Sequence, residues 1–138
     1  MGAASRPVVL LVDDSASDRQ LVEIAFDELD VECSLQTVPG GQEALQFLRN
    51  PRKPRPALLL LDLNMPGMSG MAVLEQLKAD PGLRMLPVIV LTTSGADADR
   101  TQALDLGANA YVRKPVGYED LLLALRRTQE FWLLTAER

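Results

Sequence analysis

Five apolar residues, Ala57-Leu58-Leu59-Leu60-Leu61, run straight into a carboxylate, Asp62, and then into the loop Leu63-Asn64-Met65-Pro66-Gly67-Met68-Ser69-Gly70. A short apolar run bounded by turn residues reads as a strand buried on both faces, and such strands belong in the middle of a parallel sheet. A parallel sheet needs helices on both faces, and it receives ligands at the carboxyl ends of its strands. Asp62 therefore falls where a buried strand meets a pocket mouth, which makes it a candidate nucleophile for phosphorylation.

The rest of the chain supplies the other layers. Residues 1 to 7 form a small-residue tail closed by Pro7. Val8-Val9-Leu10-Leu11-Val12 is a second buried-strand candidate, and it too ends in carboxylates, Asp13 and Asp14. Ser15 and Asp18 have capping-box spacing, with Asp in place of the usual Glu or Gln. Leu21, Val22, Ile24, Ala25, Phe26 and Leu29 follow with helical periodicity. Cys33 to Val38 alternates weakly as a strand, and Gly40-Gly41 opens a helix carrying Ala44, Leu45, Phe47 and Leu48. The prolines in residues 51 to 56 exclude helix interior. After the strand that ends at Asp62, Gly70 to Asp80 reads as helix with Leu74 and Leu77 inward. Val88-Ile89-Val90-Leu91 is a fourth strand, ending at Thr92-Thr93-Ser94-Gly95. Asp97 to Leu106 is helical, with Gly107 as its cap. Ala110-Tyr111-Val112 is a fifth strand, Lys114-Pro115 follows it, and Gly117 to about Ala136 is the final helix. Five strands alternating with five helices predict an α/β fold built on a parallel sheet.

Composition removes several classes of function. The chain has no histidine and a single cysteine, Cys33, so it has no internal disulfide, no histidine general base and a poor donor set for zinc or haem. Cys33 reads as a small buried hydrophobe. A net charge of −5 argues against general nucleic-acid binding. No apolar run approaches the ~20 residues that span a bilayer, and the first strand is too short for a signal-peptide core. A cytoplasmic protein is expected.

Ends of parallel strands share one edge, so Asp13, Asp14, Asp62, Thr92 and Lys114 are expected to converge. Unpaired carboxylates crowded together repel, and a hard divalent cation relieves them. Mg²⁺, which takes one or two carboxylates together with waters and phosphate oxygens, suits the set. Asp62 would then attack phosphorus in line, with Lys114 neutralising charge and the Thr92 hydroxyl donating to the product.

On these residues the sequence resembles a response-regulator receiver domain (CheY-like superfamily) over residues 8 to 128. The matching elements are Asp13-Asp14, Asp62 with its loop to Gly70, Thr92, Tyr111 and Lys114-Pro115. The resemblance implies a flavodoxin-like fold with strand order 2-1-3-4-5. It implies that Asp62 is the phosphoacceptor and Lys114 its charge partner. Asp14 and Asp62 would ligate Mg²⁺ directly, Asp13 through water, and Asn64 through its backbone carbonyl. Thr92 and Tyr111 would be a switch pair that alters the surface of the fourth helix, fifth strand and fifth helix by population shift. Pro115 favours a fixed bond after Lys114, open to the cis isomer as in the family. The phosphoryl donor would be a phosphohistidine on a sensor histidine kinase, and the chain itself no enzyme beyond its own phosphotransfer and slow autodephosphorylation. Asn64 and Ser94, flanking the site, are expected to tune that hydrolysis.

Other readings exist for each piece. Asp13 and Asp14 alone read as helix N-terminal charges, Thr92 as a turn residue, Tyr111 as plain core, and residues 49 to 55 as a solvated basic loop. A calcium loop starting at Asp62 fails because Pro66 and Val73 occupy its fifth and twelfth positions. An aspartyl-phosphate phosphatase would want an Asp where Asn64 stands, and a degenerate receiver acting only as a binding module would not need the intact acidic set. Residues 129 to 138 are expected to extend the final helix. Along the final helix as a whole, Leu121, Leu122, Leu123, Leu125, Phe131, Trp132, Leu133 and Leu134 exceed one inward stripe, which predicts a homodimer through that helix. No output domain is expected after Arg138, which narrows the resemblance to stand-alone receivers. The Leu91-to-Ser94 turn and Phe131-Trp132-Leu133 resemble those of receivers that partner phytochrome-type kinases.

Overall fold

A computed structural model describes residues 6–30 and 32–136, with side chains as far as residue 130. The strands are β1 (Val8–Val12), β2 (Ser34–Val38), β3 (Leu58–Leu61), β4 (Val88–Thr92) and β5 (Ala110–Arg113). They alternate with helices α1 (Ala16–Leu29), α2 (Gly41–Arg49), α3 (Gly70–Ala79), α4 (Asp97–Asp105) and α5 (Tyr118–Ala136). The sheet is parallel, in the order β2-β1-β3-β4-β5. This is the flavodoxin-like arrangement expected from the sequence. Elements end within one residue of the expected positions, as helix and strand ends commonly do.

Consecutive strand residues point to opposite faces, so the unbroken apolar runs feed two separate cores. Leu10, Val12, Leu59, Leu61, Val88 and Val90 pack with Ala44, Leu45, Val73, Leu74, Leu77 and Ala103 of α2, α3 and α4. Val9, Leu11, Leu58, Leu60, Ile89 and Leu91 pack with Val22, Ala25, Leu121, Leu122 and Leu125 of α1 and α5. All four β3 side chains are buried, each contributing roughly 1.5–3 kcal/mol. That double-sided burial is why β3 reads as leucine throughout, whereas β2, at an edge, is only partly covered.

Helix α1 differs in detail from the sequence reading, and α5 follows it as far as its side chains are described. In α1 the periodic residues Leu21 and Ile24 remain 42% and 48% exposed, because Val22 and Ala25 alone face the sheet squarely. In α5 Leu123 is 44% exposed, as its surplus position suggested; the side chains of Phe131, Trp132, Leu133 and Leu134 lie outside the described residues. Cys33 is half-buried against the second core, and burial pushes its thiol pKa up. Among the described residues no helix is long and apolar enough to cross a membrane.

Candidate functional site

Register brings the acidic residues together. Val12 pairs with Leu61, so the next residues, Asp13 and Asp62, leave adjacent strands side by side. Thr92 pairs with Arg113, so Lys114 leaves β5 beside the end of β4. The backbone ladder continues one residue beyond each strand. The Asp13 N–H donates to Val38 O at 3.2 Å, the Asp62 N–H to Val12 O at 3.0 Å and the Lys114 N–H to Thr92 O at 2.6 Å. The reactive side chains are thus fixed by the sheet rather than by loops.

The loop after β3 is held just as closely. The Gly70 N–H donates to Leu63 O at 3.0 Å. A Cβ on Gly70 would stand 2.3 Å from Asp62 O and 2.7 Å from Leu63 Cα, so only glycine lets α3 start against the Asp62 backbone. Ser69 caps α3, its side chain accepting from the Ala72 N–H at 3.2 Å.

Asp13 and Thr92 are fully buried, Asp62 is 6% exposed and Asp14 is exposed. Asp13 Oδ1 accepts from the Ser15 N–H at 3.0 Å, and its backbone carbonyl accepts from Arg19 Nη1 at 2.7 Å. Asp62 Oδ1 accepts from the Asn64 N–H at 3.3 Å, which holds the Asn64 backbone against the site. Lys114 Nζ donates to Asp13 Oδ2 and, at 2.9 Å, to Asp18 Oδ2, and it lies 3.9 Å from Asp62 Oδ2. Burial raises the Asp62 pKa above its usual 3.8, assisted by Asp13, while Lys114, the Thr92 hydroxyl and the Asn64 N–H pull it back. Burial works against the Lys114 charge, but its hydrogen bonds to Asp13 and Asp18 and the charges of Asp62 and Asp13 hold its pKa above 10.5.

Asp13, Asp14 and Asp62 each offer an oxygen within 4.8 Å of the others. Hard carboxylate oxygens with one exposed member match a cation that keeps part of its water shell. The acidic cluster therefore fits a divalent metal.

Tyr111 is half-buried against the first core, and its hydroxyl donates to Ser94 O at 2.8 Å. Ser94 Oγ donates to Asp99 Oδ2 at 2.6 Å and accepts from the Ala96 N–H at 3.3 Å. Thr92 Oγ1 accepts from the Ser94 N–H at 3.4 Å, so Ser94 stands between Thr92 and Tyr111.

The structure corrects one expectation and decides between the two isomers left open at Pro115. Ser15 Oγ does accept from the Asp18 N–H, at 3.2 Å. The reciprocal half of the capping box is absent: Asp13 takes the Ser15 N–H, and the Asp18 carboxylate turns to Lys114. The Lys114–Pro115 bond is trans, the isomer favoured by about 0.5–1 kcal/mol for an X–Pro bond. Sequence reasoning missed Asp18, Arg19 and Asp99 as members of the site. Of these only Asp18 left a signal, and it pointed to helix capping.

A family model described as the response regulator receiver domain matches residues 9–126. Response regulator Rcp1 of Synechocystis sp. is 36% identical over 132 residues, covering 93% of this chain and 90% of that protein. The probable methanogenesis regulatory protein FilR2 of Methanothrix harundinacea is 36% identical over 129 residues, covering 91% and 83%. The crystal structure of Mn²⁺-bound Rcp1 superposes with a TM-score of 0.84 at 36% identity, covering 92% of this chain and 94% of that one. The structure of the phosphorylated cyanobacterial phytochrome response regulator RcpA superposes with a TM-score of 0.87 at 36% identity, covering 96% of each chain.

Proposed function

The chain belongs to the response-regulator receiver family, and on that footing we propose that Asp62 accepts a phosphoryl group from a phosphohistidine of a sensor histidine kinase. The observation that carries this reading is the Lys114 ammonium, bonded to Asp13 and 3.9 Å from Asp62 Oδ2, beside three carboxylates that share one cation-sized space.

Asp14 and Asp62 would hold Mg²⁺ directly, Asp13 through water and Asn64 through its carbonyl. Bound there, Mg²⁺ supplies positive charge that keeps Asp62 ionised and neutralises phosphoryl oxygens. Asp62 Oδ2 attacks phosphorus; the O–P bond forms as the P–N bond breaks, and the kinase imidazole leaves with the bonding pair. Lys114 donates to a phosphoryl oxygen and stabilises charge in the transition state. The Thr92 hydroxyl donates to another. As Thr92 shifts toward the acyl phosphate, it acts on the Ser94 N–H, and through Ser94 on Tyr111 and Asp99. The α4/β5/α5 surface is the output. Hydrolysis of the acyl phosphate is slow and needs no second enzyme.

Residues 8–128 form the receiver body, and α5 runs on beyond it to Ala136; the last two positions of the expected extension lie outside the described residues. Leu123 and an apolar groove that includes Tyr111, Val112 and Ala124 support a homodimer through α5. The likeness to RcpA, a phytochrome response regulator, supports a phytochrome-type kinase as cytoplasmic partner. Incubation with a phosphorylated kinase and Mg²⁺ tests the core of the reading. Wild type should be labelled and Asp62→Asn should not; labelling of the variant at the wild-type rate would refute it.

A further inference from the structure

The first turn of α1 carries a carboxylate that attack by Asp62 does not require. Asp18 Oδ2 accepts from Lys114 Nζ at 2.9 Å, although the two residues are 96 positions apart. An ammonium has three donors. Here one goes to Asp13 and one to Asp18, and Asp62 Oδ2 lies at 3.9 Å, about 1 Å beyond an N–H···O hydrogen bond of ~2.9 Å. Both anchors belong to the β1–α1 segment, so they draw the ammonium away from the tip of β3. Helix capping does not explain Asp18, since its side chain makes no reciprocal bond to the Ser15 N–H. Charge at a helix N-terminus favours an acid there but sets no orientation. Asp13 also belongs to the carboxylate cluster suited to a cation, whereas Asp18 does not. Asp18 is therefore the anchor that cation binding leaves untouched.

We propose that Asp18 is a positioning residue: with Asp13 it holds Lys114 off Asp62, leaving a gap that admits a phosphoryl oxygen while the third N–H donates to it. This rests on Asp62 being the phosphoacceptor. Without the Asp18 charge, Lys114 closes onto Asp62 Oδ2, and that direct ion pair must break before a phosphoryl group can enter.

Beryllofluoride binding in the presence of Mg²⁺ measures the effect, and ¹⁵N NMR of the lysine ammonium groups reports where Lys114 sits without metal. Asp18→Asn should shift the Lys114 ammonium resonance in the metal-free protein. It should also weaken beryllofluoride binding about five-fold, the size of a partly exposed ion pair. Asp18→Glu, which keeps the charge, should restore most of the affinity and the resonance. Glu23→Gln, the same change of charge on an exposed position of α1, should behave as wild type. Binding by Asp18→Asn as tight as wild type, or no recovery in Asp18→Glu, would overturn the assignment. Failure of the wild type itself to bind beryllofluoride would instead overturn the phosphoacceptor reading beneath it.

Discussion

Replacing Asp62 by Asn should make the metal-free protein more stable even as it removes the proposed phosphoacceptor. Asp62 is 6% exposed and faces charges of both signs. At an effective dielectric of about 20, Lys114 at 3.9 Å attracts Asp62 by about 4 kcal/mol, and Asp13 within 4.8 Å repels it by at least ~3.5 kcal/mol. These terms nearly cancel, and Asp14, in water, adds a small repulsion. What remains is the desolvation of a buried carboxylate, several kcal/mol per ion in proteins, set against the smaller cost of burying the Asn amide in its place, about 1–3 kcal/mol. Asn is nearly isosteric and keeps an oxygen for the Asn64 N–H. The sign with pH follows from linkage. Burial raises the folded pKa above 3.8, so between 3.8 and that higher value the fold holds a proton that the unfolded chain has released. Stability contributed by Asp62 is present below 3.8 and is lost as pH rises through the folded value. The advantage of Asp62→Asn should thus be absent in acid and full at neutral pH. Urea denaturation in EDTA checks this: with slopes of ~1–3 kcal/mol per M, the midpoint should rise by about 1 M. Mg²⁺ at a hundred times its Kd should add about 2.7 kcal/mol to the wild type and less to the variant. A variant less stable than wild type in EDTA, or an advantage that does not grow with pH, refutes the reasoning.

Gly70→Ala should cost about 3 kcal/mol, the upper end for overpacking, because the new methyl meets backbone atoms of Asp62 and Leu63 that no rotamer change can clear. Urea denaturation measures the loss and Mg²⁺ titration should show weakened binding; wild-type values in both would mean that the close approach is not needed. Sedimentation at micromolar concentration should show a dimer that Leu123→Arg dissociates. A clean monomer, with and without beryllofluoride, would remove α5 as a self-association surface.

Much of the fold was legible because burial on both faces leaves so plain a trace. The leucines of β3 and the valines and leucines of β1 and β4 could hardly be anything but interior parallel strands. The carboxylates, Thr92 and Lys114 were legible as a site because strand ends in a parallel sheet must share an edge. Asp18 reads as a cap in the sequence for a physical reason: capping is a relation between near neighbours, and its partner Lys114 lies 96 positions away. The sequence points to Ser94 as a residue tuning hydrolysis, whereas its place between Thr92, Tyr111 and Asp99 depends on a loop path that periodicity does not encode. Leu21 and Ile24 obey the helical period yet stay exposed, because a period gives a stripe and not its width.

The anions of the site hang from interior strands, β1 and β3, whereas the ammonium hangs from β5, which has a neighbour on one side only. Any fraying of that outer ribbon carries Lys114 off and leaves the acids where they are. The mouth then turns more negative at the place where, on the proposed function, a negatively charged donor arrives. Receptivity toward phosphate thus hangs on how firmly the outermost ribbon stays zipped to the sheet.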